Sequence, residues 1–190
     1  MIIGGGVSGT EAARMAAGLG ANVTILDTNL DRLRELESIM PSNVTPIYSN
    51  SFTIEEEIKR SHLIIGTVLI PGSKAPKLIR REMLSKMMPG TVLVDVAIDQ
   101  GGCFETSEPT THDAPIKIQD GIIHYCVTNM PGAVPLTASL ALNQATLPYI
   151  EKIADLGLSQ ALKEDLHLAN GLNMANGIVK HDSVGAALDN

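Results

Sequence analysis

The chain has 190 residues, 44% hydrophobic and 18% charged, which suits a globular protein with a sizeable core. Its formal net charge of −7 argues against a nucleic-acid partner, because such a partner needs a clustered basic face. No apolar run approaches the roughly 18 residues of a membrane span, so we expect no membrane partner and a cytoplasmic location. Cys103, Cys126 and five scattered histidines lack metal-ligand spacing, so we expect reduced, buried thiols and no metal site.

Apolar runs of strand length alternate with amphipathic segments over residues 1–130. The predicted strands are Met1–Ile3, Val23–Asp27, Thr45–Tyr48, Leu63–Gly66, Val92–Asp95 and Ile122–Cys126. The predicted helices are Ser8–Leu19, Asn29–Ser38, Ile54–Arg60 and Arg80–Met87. Runs such as LIIG and VLVDVA are continuously apolar, as in strands buried on both faces of a parallel sheet. The pattern predicts an α/β fold with a doubly wound parallel sheet.

The pattern changes after residue 130. The segment PLTASLALNQATLPYIEKIADLG is apolar, helix-prone and too long for one more strand–helix unit, and it contains Pro148. We interpret it as a helix connecting to a second part of the molecule. The tail, 158–190, is predicted to form short helices with a turn at Asn176–Gly177. Two domains follow, residues 1–130 and 131–190.

The first predicted strand runs directly into a glycine motif. Gly4, Gly6 and Gly9 form G-x-G-x-x-G between a strand and a helix. Gly4 permits the tight turn, Gly6 lets the backbone approach a pyrophosphate, and Gly9 lets helix and strand pack closely. The phosphates would lie at the helix N-terminus, among unpaired amides and the positive end of the helix dipole. The motif predicts a dinucleotide-binding site.

Asp27 ends the second predicted strand, at the position where a carboxylate accepts hydrogen bonds from adenosine ribose hydroxyls. Its charge would repel a 2′-phosphate, and Thr28 and Asn29 offer no cation, so NAD is favoured over NADP. Arg32 lies close in sequence and weakens that preference. The alternative is a glycine-rich turn of another α/β fold, with Asp27 as a helix cap.

The segment VDVAIDQGGCFETS follows another buried strand. Asp95 and Asp99 would lie at the edge of the sheet where doubly wound folds bind ligands. Gly101 and Gly102 would let the loop move, and a mobile carboxylate over a nicotinamide could orient substrate or handle protons. A capping aspartate in a turn is an equal alternative for Asp99.

Residues 67–79 offer further candidate contacts. Val68 and Leu69 could lie along an adenine or ribose, and Lys74 and Lys77 could meet phosphates. The favoured alternative for both lysines is solvated loop charge.

The last predicted strand and the segments on either side of it carry further candidates. Asn129 is placed to hydrogen-bond a carboxamide, and Met130 to pack on a ring. His124 lies within an apolar strand and is better interpreted as a satisfied core histidine. His112 beside Asp113 could form a catalytic dyad, but loop capping is favoured.

Several long segments together resemble the alanine dehydrogenase members of the alanine dehydrogenase and proton-translocating transhydrogenase family. They are IGGGVSGTEAARMAAGLGANVTILD, NLDRLREL, LIPGSKAPKLI, VDVAIDQGGCFETS, PTTHD and NMPGAVPLTASLALNQATLPY, in the family's order. The resemblance covers nearly the whole chain. It implies a Rossmann-type NAD-binding domain and reversible NAD-dependent oxidative deamination of L-alanine to pyruvate and ammonia, in a homohexamer.

The resemblance also implies site residues. Asp99 would be the catalytic carboxylate. The implied cofactor-binding residues are Gly4, Gly6, Val7, Ser8, Gly9, Asp27, Arg32, Ser49, Val68, Leu69, Val96, Ala97, Ile98, Asp99, Val127, Thr128, Asn129 and Met130.

The resemblance further implies that this chain corresponds to the C-terminal half of such an enzyme. The groups that hold the substrate carboxylate would lie in an N-terminal region, so we expect NAD binding without turnover by this chain alone. The apolar segment 134–153 would be exposed unless covered, which predicts self-association. The alternatives are the NAD-binding subunit of a transhydrogenase and a non-catalytic NAD-binding module.

Overall fold

The computed structural model describes residues 1–70 and 75–188, which fall into two compact units. The first unit contains the described residues 1–70 and 75–128, and the second contains 129–188.

The first unit is built on a seven-stranded sheet in the order β3-β2-β1-β4-β5-β7-β6. The strands are β1 Ile2–Ile3, β2 Val23–Asp27, β3 Val44–Tyr48, β4 Leu63–Gly66, β5 Val92–Asp95, β6 Ile116–Gln119 and β7 Ile122–Tyr125. All neighbouring pairs are parallel except β6 with β7. The strand order reverses on either side of β1, so the predicted doubly wound α/β fold is confirmed.

Helices connect the parallel strands. They are α1 Val7–Gly18, α2 Leu30–Ile39 and α3 Ser51–Ile58, with short 3-10 helices at Arg81–Lys86 and Ile98–Gln100. Asn29 and Asn50 cap α2 and α3 by accepting hydrogen bonds from amides of the first turn. The segment predicted as an α-helix at Arg80–Met87 is the 3-10 helix Arg81–Lys86.

Side chains of the central strands belong to two hydrophobic clusters, one on each face of the sheet. Ile2 and Ile25 belong to one cluster, and the adjacent residues Ile3 and Leu26 belong to the other. Successive strand side chains point to opposite faces, so both positions must be apolar. This explains why the runs are continuously apolar.

The antiparallel edge strand β6 was not predicted. It joins β7 through a tight turn in which Asp120 and Gly121 both have positive φ, 52° and 77°. Asp-Gly is a typical turn for a two-residue hairpin, so the sequence did carry a signal. Ile116 and Ile118 are 56% and 65% exposed, and the strand therefore lacks the buried pattern of its neighbours.

The second unit is mainly helical. Its elements are a 3-10 helix Met130–Ala133, α4 Pro135–Leu156, α5 Leu158–Glu164, α6 Leu166–Asn170, β8 Met174–Ala175, β9 Ile178–Val179 and α7 Asp182–Leu188. The predicted long helix is confirmed as α4, which continues through Pro148. The predicted turn at Asn176–Gly177 closes a small antiparallel hairpin, β8–β9, where only helices were expected.

Candidate functional site

The central strands of the sheet have their carboxyl ends at the same level. Ile3 pairs with Leu26 on one side and with Gly66 on the other, and Gly66 pairs with Asp95. Backbone hydrogen bonds of 2.8–2.9 Å continue past the strand ends at the amides of Gly4, Ser49, Thr67 and Val96. The loops that carry the implied site residues therefore start side by side at the carboxyl edge of the sheet, where doubly wound folds bind ligands.

The segment Gly4–Gly9, here called the glycine loop, is packed too tightly for side chains at its two ends. Gly4 has φ +106°, and a Cβ there would stand 2.8 Å from Thr67 Oγ1. A Cβ on Gly9 would stand 1.9 Å from the Gly4 carbonyl oxygen. Thr67 Oγ1 also donates to the carbonyls of Ile3 and Gly4 at 3.0 Å. The sequence-based roles of Gly4 and Gly9 agree with this geometry, whereas Thr67 was not foreseen.

Gly6 differs from the other two glycines of the motif. A Cβ at Gly6 would meet nothing within 4 Å, and its φ of −68° is ordinary for any residue. Gly6 is the N-cap of α1, and no side chain caps that helix. Val7 is 84% exposed, and Ser8 is exposed beside it. The start of α1 therefore presents open space and uncapped amides, as a phosphate-binding loop requires.

Asp27 joins the end of β2 to the glycine loop. Its Oδ2 accepts a hydrogen bond from the Gly5 amide at 2.7 Å, and its Oδ1 accepts one from the Asn29 amide at 2.8 Å. The helix cap is Asn29, so Asp27 is not the cap itself. The carboxylate remains partly exposed and is fixed beside the loop.

Arg32 also contacts the glycine loop. Its Nε donates to the Gly5 carbonyl at 2.7 Å, and its Nη2 donates to Thr10 Oγ1 at 2.7 Å. Nη1 forms an ion pair with Glu35 at 2.5 Å. Arg32 and Asp27 thus hold the two polar groups of one peptide residue, Gly5, from two sides.

The remaining candidates for the adenosine end lie on neighbouring strand ends. Ser49 follows β3, and its amide donates to the Asp27 carbonyl at 2.9 Å. Val68 is half-buried and packs against the core, and Leu69 is 59% exposed. Lys74 lies outside the described residues.

The segment Val96–Ser107, here called the β5 loop, carries Asp99 on the 3-10 helix Ile98–Gln100, where its side chain is exposed. Ala97 and Ile98 are buried. Gly101 and Gly102 have φ of +91° and +78°, values that favour glycine in a turn.

Asp95 lies beneath the β5 loop and is fully buried. Its carboxylate accepts hydrogen bonds from the Cys103 amide at 3.1 Å, the Phe104 amide at 3.2 Å and the Ser107 hydroxyl at 2.5 Å. A Cβ on Gly102 would stand 2.6 Å from Asp95 Oδ2. Gly102 is therefore required for close approach to this carboxylate, and the interpretation of both glycines as mobility elements was incomplete.

Lys77 has a role that neither sequence interpretation foresaw. Its ammonium donates to the carbonyls of Gly101, Gly102 and Phe104, the latter two at 3.0 and 3.1 Å. Lys77 is exposed, as expected of a loop charge, but these carbonyls converge on its ammonium and anchor it to the β5 loop, which neither alternative foresaw.

The residues after β7 divide between the two units. Val127 is fully buried, and the Thr128 amide donates to the Thr110 carbonyl at 3.2 Å. Asn129 and Met130 open the second unit, where Asn129 has φ 52° and precedes the 3-10 helix.

His124 is confirmed as a satisfied core histidine. It is 2% exposed, and its Nε2 lies 2.8 Å from Thr106 Oγ1 while its Nδ1 lies 3.2 Å from the Ile122 carbonyl. Burial lowers the pKa of His124 below its usual value. His112 and Asp113 are exposed in the loop before β6.

Both cysteines are buried free thiols, as predicted. Burial, with a smaller contribution from the Asp95 carboxylate, raises the pKa of Cys103 to about 11. Burial also raises the pKa of Cys126. Neither thiol is an activated nucleophile.

Within residues 1–70 and 75–188, no three His, Cys, Asp or Glu side chains are grouped to hold a metal ion. No helix in that part of the chain has both the length and the apolar character to cross a membrane.

Comparison with known proteins identifies the family. Residues 1–182 match the family model described as alanine dehydrogenase/PNT, C-terminal domain. The chain belongs to this family.

Individual relatives agree with the family assignment. The chain is 54% identical to an alanine dehydrogenase of Halomonas elongata, over 98% of this chain and 50% of the relative. A solved L-alanine dehydrogenase structure is 49% identical with a TM-score of 0.85, covering 99% of this chain and 52% of that one. A transhydrogenase from Sinorhizobium meliloti is 27% identical with a TM-score of 0.73, covering 95% and 48%. This member of the family thus spans about half the length of the curated relatives it matches, and it is more similar to the dehydrogenases.

Proposed function

We propose that the chain is the NAD-binding portion of an alanine dehydrogenase, which converts L-alanine reversibly to pyruvate and ammonia. The observation that carries the proposal is the glycine loop, with Gly6 facing open space at an uncapped helix start and Asp27 fixed beside it. Identity above 50% to alanine dehydrogenases over nearly the whole chain supports the choice of reaction.

The residues fit an adenine dinucleotide. The amides at the start of α1 would bind the pyrophosphate, and Asp27 would accept hydrogen bonds from the adenosine ribose. The other proposed adenosine contacts are Val7, Ser8, Arg32, Ser49, Val68 and Leu69. The proposed contacts at the nicotinamide end are Val96, Ala97, Ile98, Asp99, Val127, Thr128, Asn129 and Met130. Residues 1–130 would form the cofactor domain, and residues 131–190 the connecting helix and part of the substrate domain.

When bound, NAD would accept a hydride from the α-carbon of alanine. In our proposal the exposed Asp99 carboxylate orients the substrate or holds a proton at its Oδ atoms. Asp99 would repel the carboxylate of alanine, so a cation must hold that group. Lys77 contacts the same loop, but its ammonium is engaged by backbone carbonyls. We propose that the substrate clamp lies in the half of the relatives that this chain does not span.

Cofactor binding is tested by titrating the purified chain with ADP-ribose in a calorimeter. We expect saturable binding that weakens at least about tenfold in Gly6→Ala, since the new methyl group would occupy the space of the pyrophosphate. Gly18→Ala is the matched control, because a Cβ there also meets nothing within 4 Å but lies at the far end of α1. Absence of binding by the parent chain, or equal weakening in both variants, would contradict the proposal.

The reaction is tested by joining this chain to the N-terminal half of the Halomonas elongata relative. We expect alanine-dependent formation of NADH by the chimera, none by the 190-residue chain alone, and loss of the activity in Asp99→Asn. Turnover by the chain alone would place the substrate clamp within these residues. Binding of NADH without alanine turnover in a folded chimera would instead favour a non-catalytic module.

We also propose that the chain forms a homo-oligomer, a hexamer in the intact enzyme. The support is α4, all of whose 22 residues are described and none of which is buried. Leu136, Leu140 and Leu142 are 74%, 63% and 66% exposed. Exposed apolar side chains grouped in this way are typical of a protein–protein interaction site. Sedimentation velocity should show association, and a purely monomeric profile would oppose the proposal.

A further inference from the structure

The guanidinium of Arg32 is the cation of the glycine loop, and every one of its nitrogens has a partner. Nε is held by the Gly5 carbonyl and Nη2 by Thr10 Oγ1, both at 2.7 Å. The remaining nitrogen, Nη1, is held by Glu35 Oε2 at 2.5 Å. The Arg32 side chain is 25% exposed, against 57% for Glu35. Glu35 is thus the most exposed of the three partners, since Gly5 and Thr10 are buried.

Arg32 and Asp27, the proposed ribose-binding residue, both contact Gly5. Gly5 donates its amide to Asp27 and offers its carbonyl to Arg32, so the carboxylate and the guanidinium are fixed to one residue. A 2′-phosphate differs from a 2′-hydroxyl by negative charge placed beside Asp27. Arginine is the side chain best suited to bind phosphate, through paired N–H donors. Arg32 is fixed to the same residue as Asp27 and could compensate for its charge, except that Arg32 is itself paired with Glu35.

We infer that Glu35 is a cofactor-specificity residue: its carboxylate occupies Nη1 of Arg32 and adds a second negative charge, so that a 2′-phosphorylated dinucleotide is disfavoured. The inference rests on the proposed NAD binding, and it assigns the preference for NAD to Asp27 and Glu35 acting together. Asp27 repels the phosphate directly, and the Glu35 carboxylate competes with the phosphate for Arg32.

A neighbouring ion pair shows what distinguishes the Arg32–Glu35 pair. Arg34 and Asp31 form the same i,i+3 pair on the same helix at 2.7 Å, but their side chains are 73% and 90% exposed. Such pairs are screened by solvent and contribute little. Arg32 also donates hydrogen bonds to the Gly5 carbonyl and to Thr10 Oγ1. Its guanidinium is therefore fixed against the glycine loop independently of Glu35.

The test compares two ligands that differ only in the phosphate, ADP-ribose and 2′-phospho-ADP-ribose, by calorimetric titration of the full chain. In Glu35→Ala the affinity for the phosphorylated ligand, relative to ADP-ribose, should rise about tenfold, the worth of one charge-assisted hydrogen bond. Asp31→Ala removes an equal charge from the same helix and should leave the ratio within about twofold of the parent value. The double variant Glu35→Ala, Arg32→Met should lose the gain.

The possible outcomes distinguish failure of the Glu35 inference from failure of the proposed NAD binding. An unchanged ratio in a Glu35→Ala protein that still binds ADP-ribose would overturn the inference and leave NAD binding intact. Equal gains in relative affinity for the phosphorylated ligand in Glu35→Ala and Asp31→Ala would attribute the effect to net charge and would overturn the inference. A gain that persists in the double variant, which lacks Arg32, would overturn it as well. If the parent chain binds neither ligand, the proposed function fails first.

Discussion

The glycine loop and the β5 loop begin at the same edge of the sheet, on either side of β4, yet they are supported in opposite ways. The glycine loop is held by Asp27 and Arg32, whose charged groups remain partly exposed at the site. The β5 loop is held from beneath by Asp95, which is fully buried. The difference indicates that one support can also contact a ligand, whereas the other only determines the shape of its loop.

The largest loss of stability is expected from Asp95→Ala. The change leaves the amides of Cys103 and Phe104 and the hydroxyl of Ser107 without their buried acceptor, which should lower the free energy of unfolding by about 4 kcal/mol. Urea denaturation measures this loss of stability. In the Asp95→Ala variant Cys103 should also react with iodoacetamide at pH 8. Asp113→Ala, on an exposed loop, should stay within about 0.5 kcal/mol of the parent. Equal free energies of unfolding for the two variants would contradict the role of Asp95 as the buried support of the β5 loop.

Gly9→Ala and Gly6→Ala separate packing from ligand approach within the glycine loop. The methyl group at Gly9 would stand 1.9 Å from the Gly4 carbonyl oxygen, and relieving that clash should cost about 3 kcal/mol of stability. At Gly6 the methyl group meets open space, so the free energy of unfolding should change by less than about 1 kcal/mol. Thermal and urea unfolding of both variants check this, and a similar loss at both positions would contradict it.

Lys77→Met should weaken the β5 loop more modestly. Removing the ammonium from the carbonyls of Gly102 and Phe104 is expected to cost about 1 kcal/mol, reduced by the exposure of the side chain. Lys59→Met is the matched control, because Lys59 forms an exposed i,i+3 pair with Glu56. The control should change by less than about 0.5 kcal/mol. If Lys77→Met behaves like the control, Lys77 does not brace the loop.

The smallest effect concerns pH. Burial lowers the pKa of His124 below 6.5 in the folded protein, so the unfolded chain binds the proton more readily. The stability contributed by the neutral ring is complete above pH 6.5 and is lost as the pH falls below that value. Urea midpoints at pH 7.5 and 5.5 should shift less in His124→Gln than in the parent, and an identical shift would exclude His124 as the cause.

Local patterns in the sequence determined the central parallel strands, because β1 and β2 contribute apolar side chains to the core on both faces of the sheet. The strands β2, β4 and β5 were predicted to the residue. The edge strand β6 was missed because its Ile116 and Ile118 are exposed, and burial is what makes a strand recognisable. The Asp-Gly turn is the local signal for this strand.

The sequence by itself determined the glycine motif, its strand and helix, and the acid after the second strand, since these depend on spacing along the chain. Only the tertiary structure decided what the charged side chains do. Arg32 reaches Gly5 and Thr10 across 27 and 22 positions of sequence, and Lys77 reaches the β5 loop across 24 to 27. The sequence does not reveal that Lys77 is anchored, because the carbonyls that converge on its ammonium come from elsewhere in the chain. Long-range partners of this kind are set by how the strands are ordered in the sheet, which no local pattern encodes.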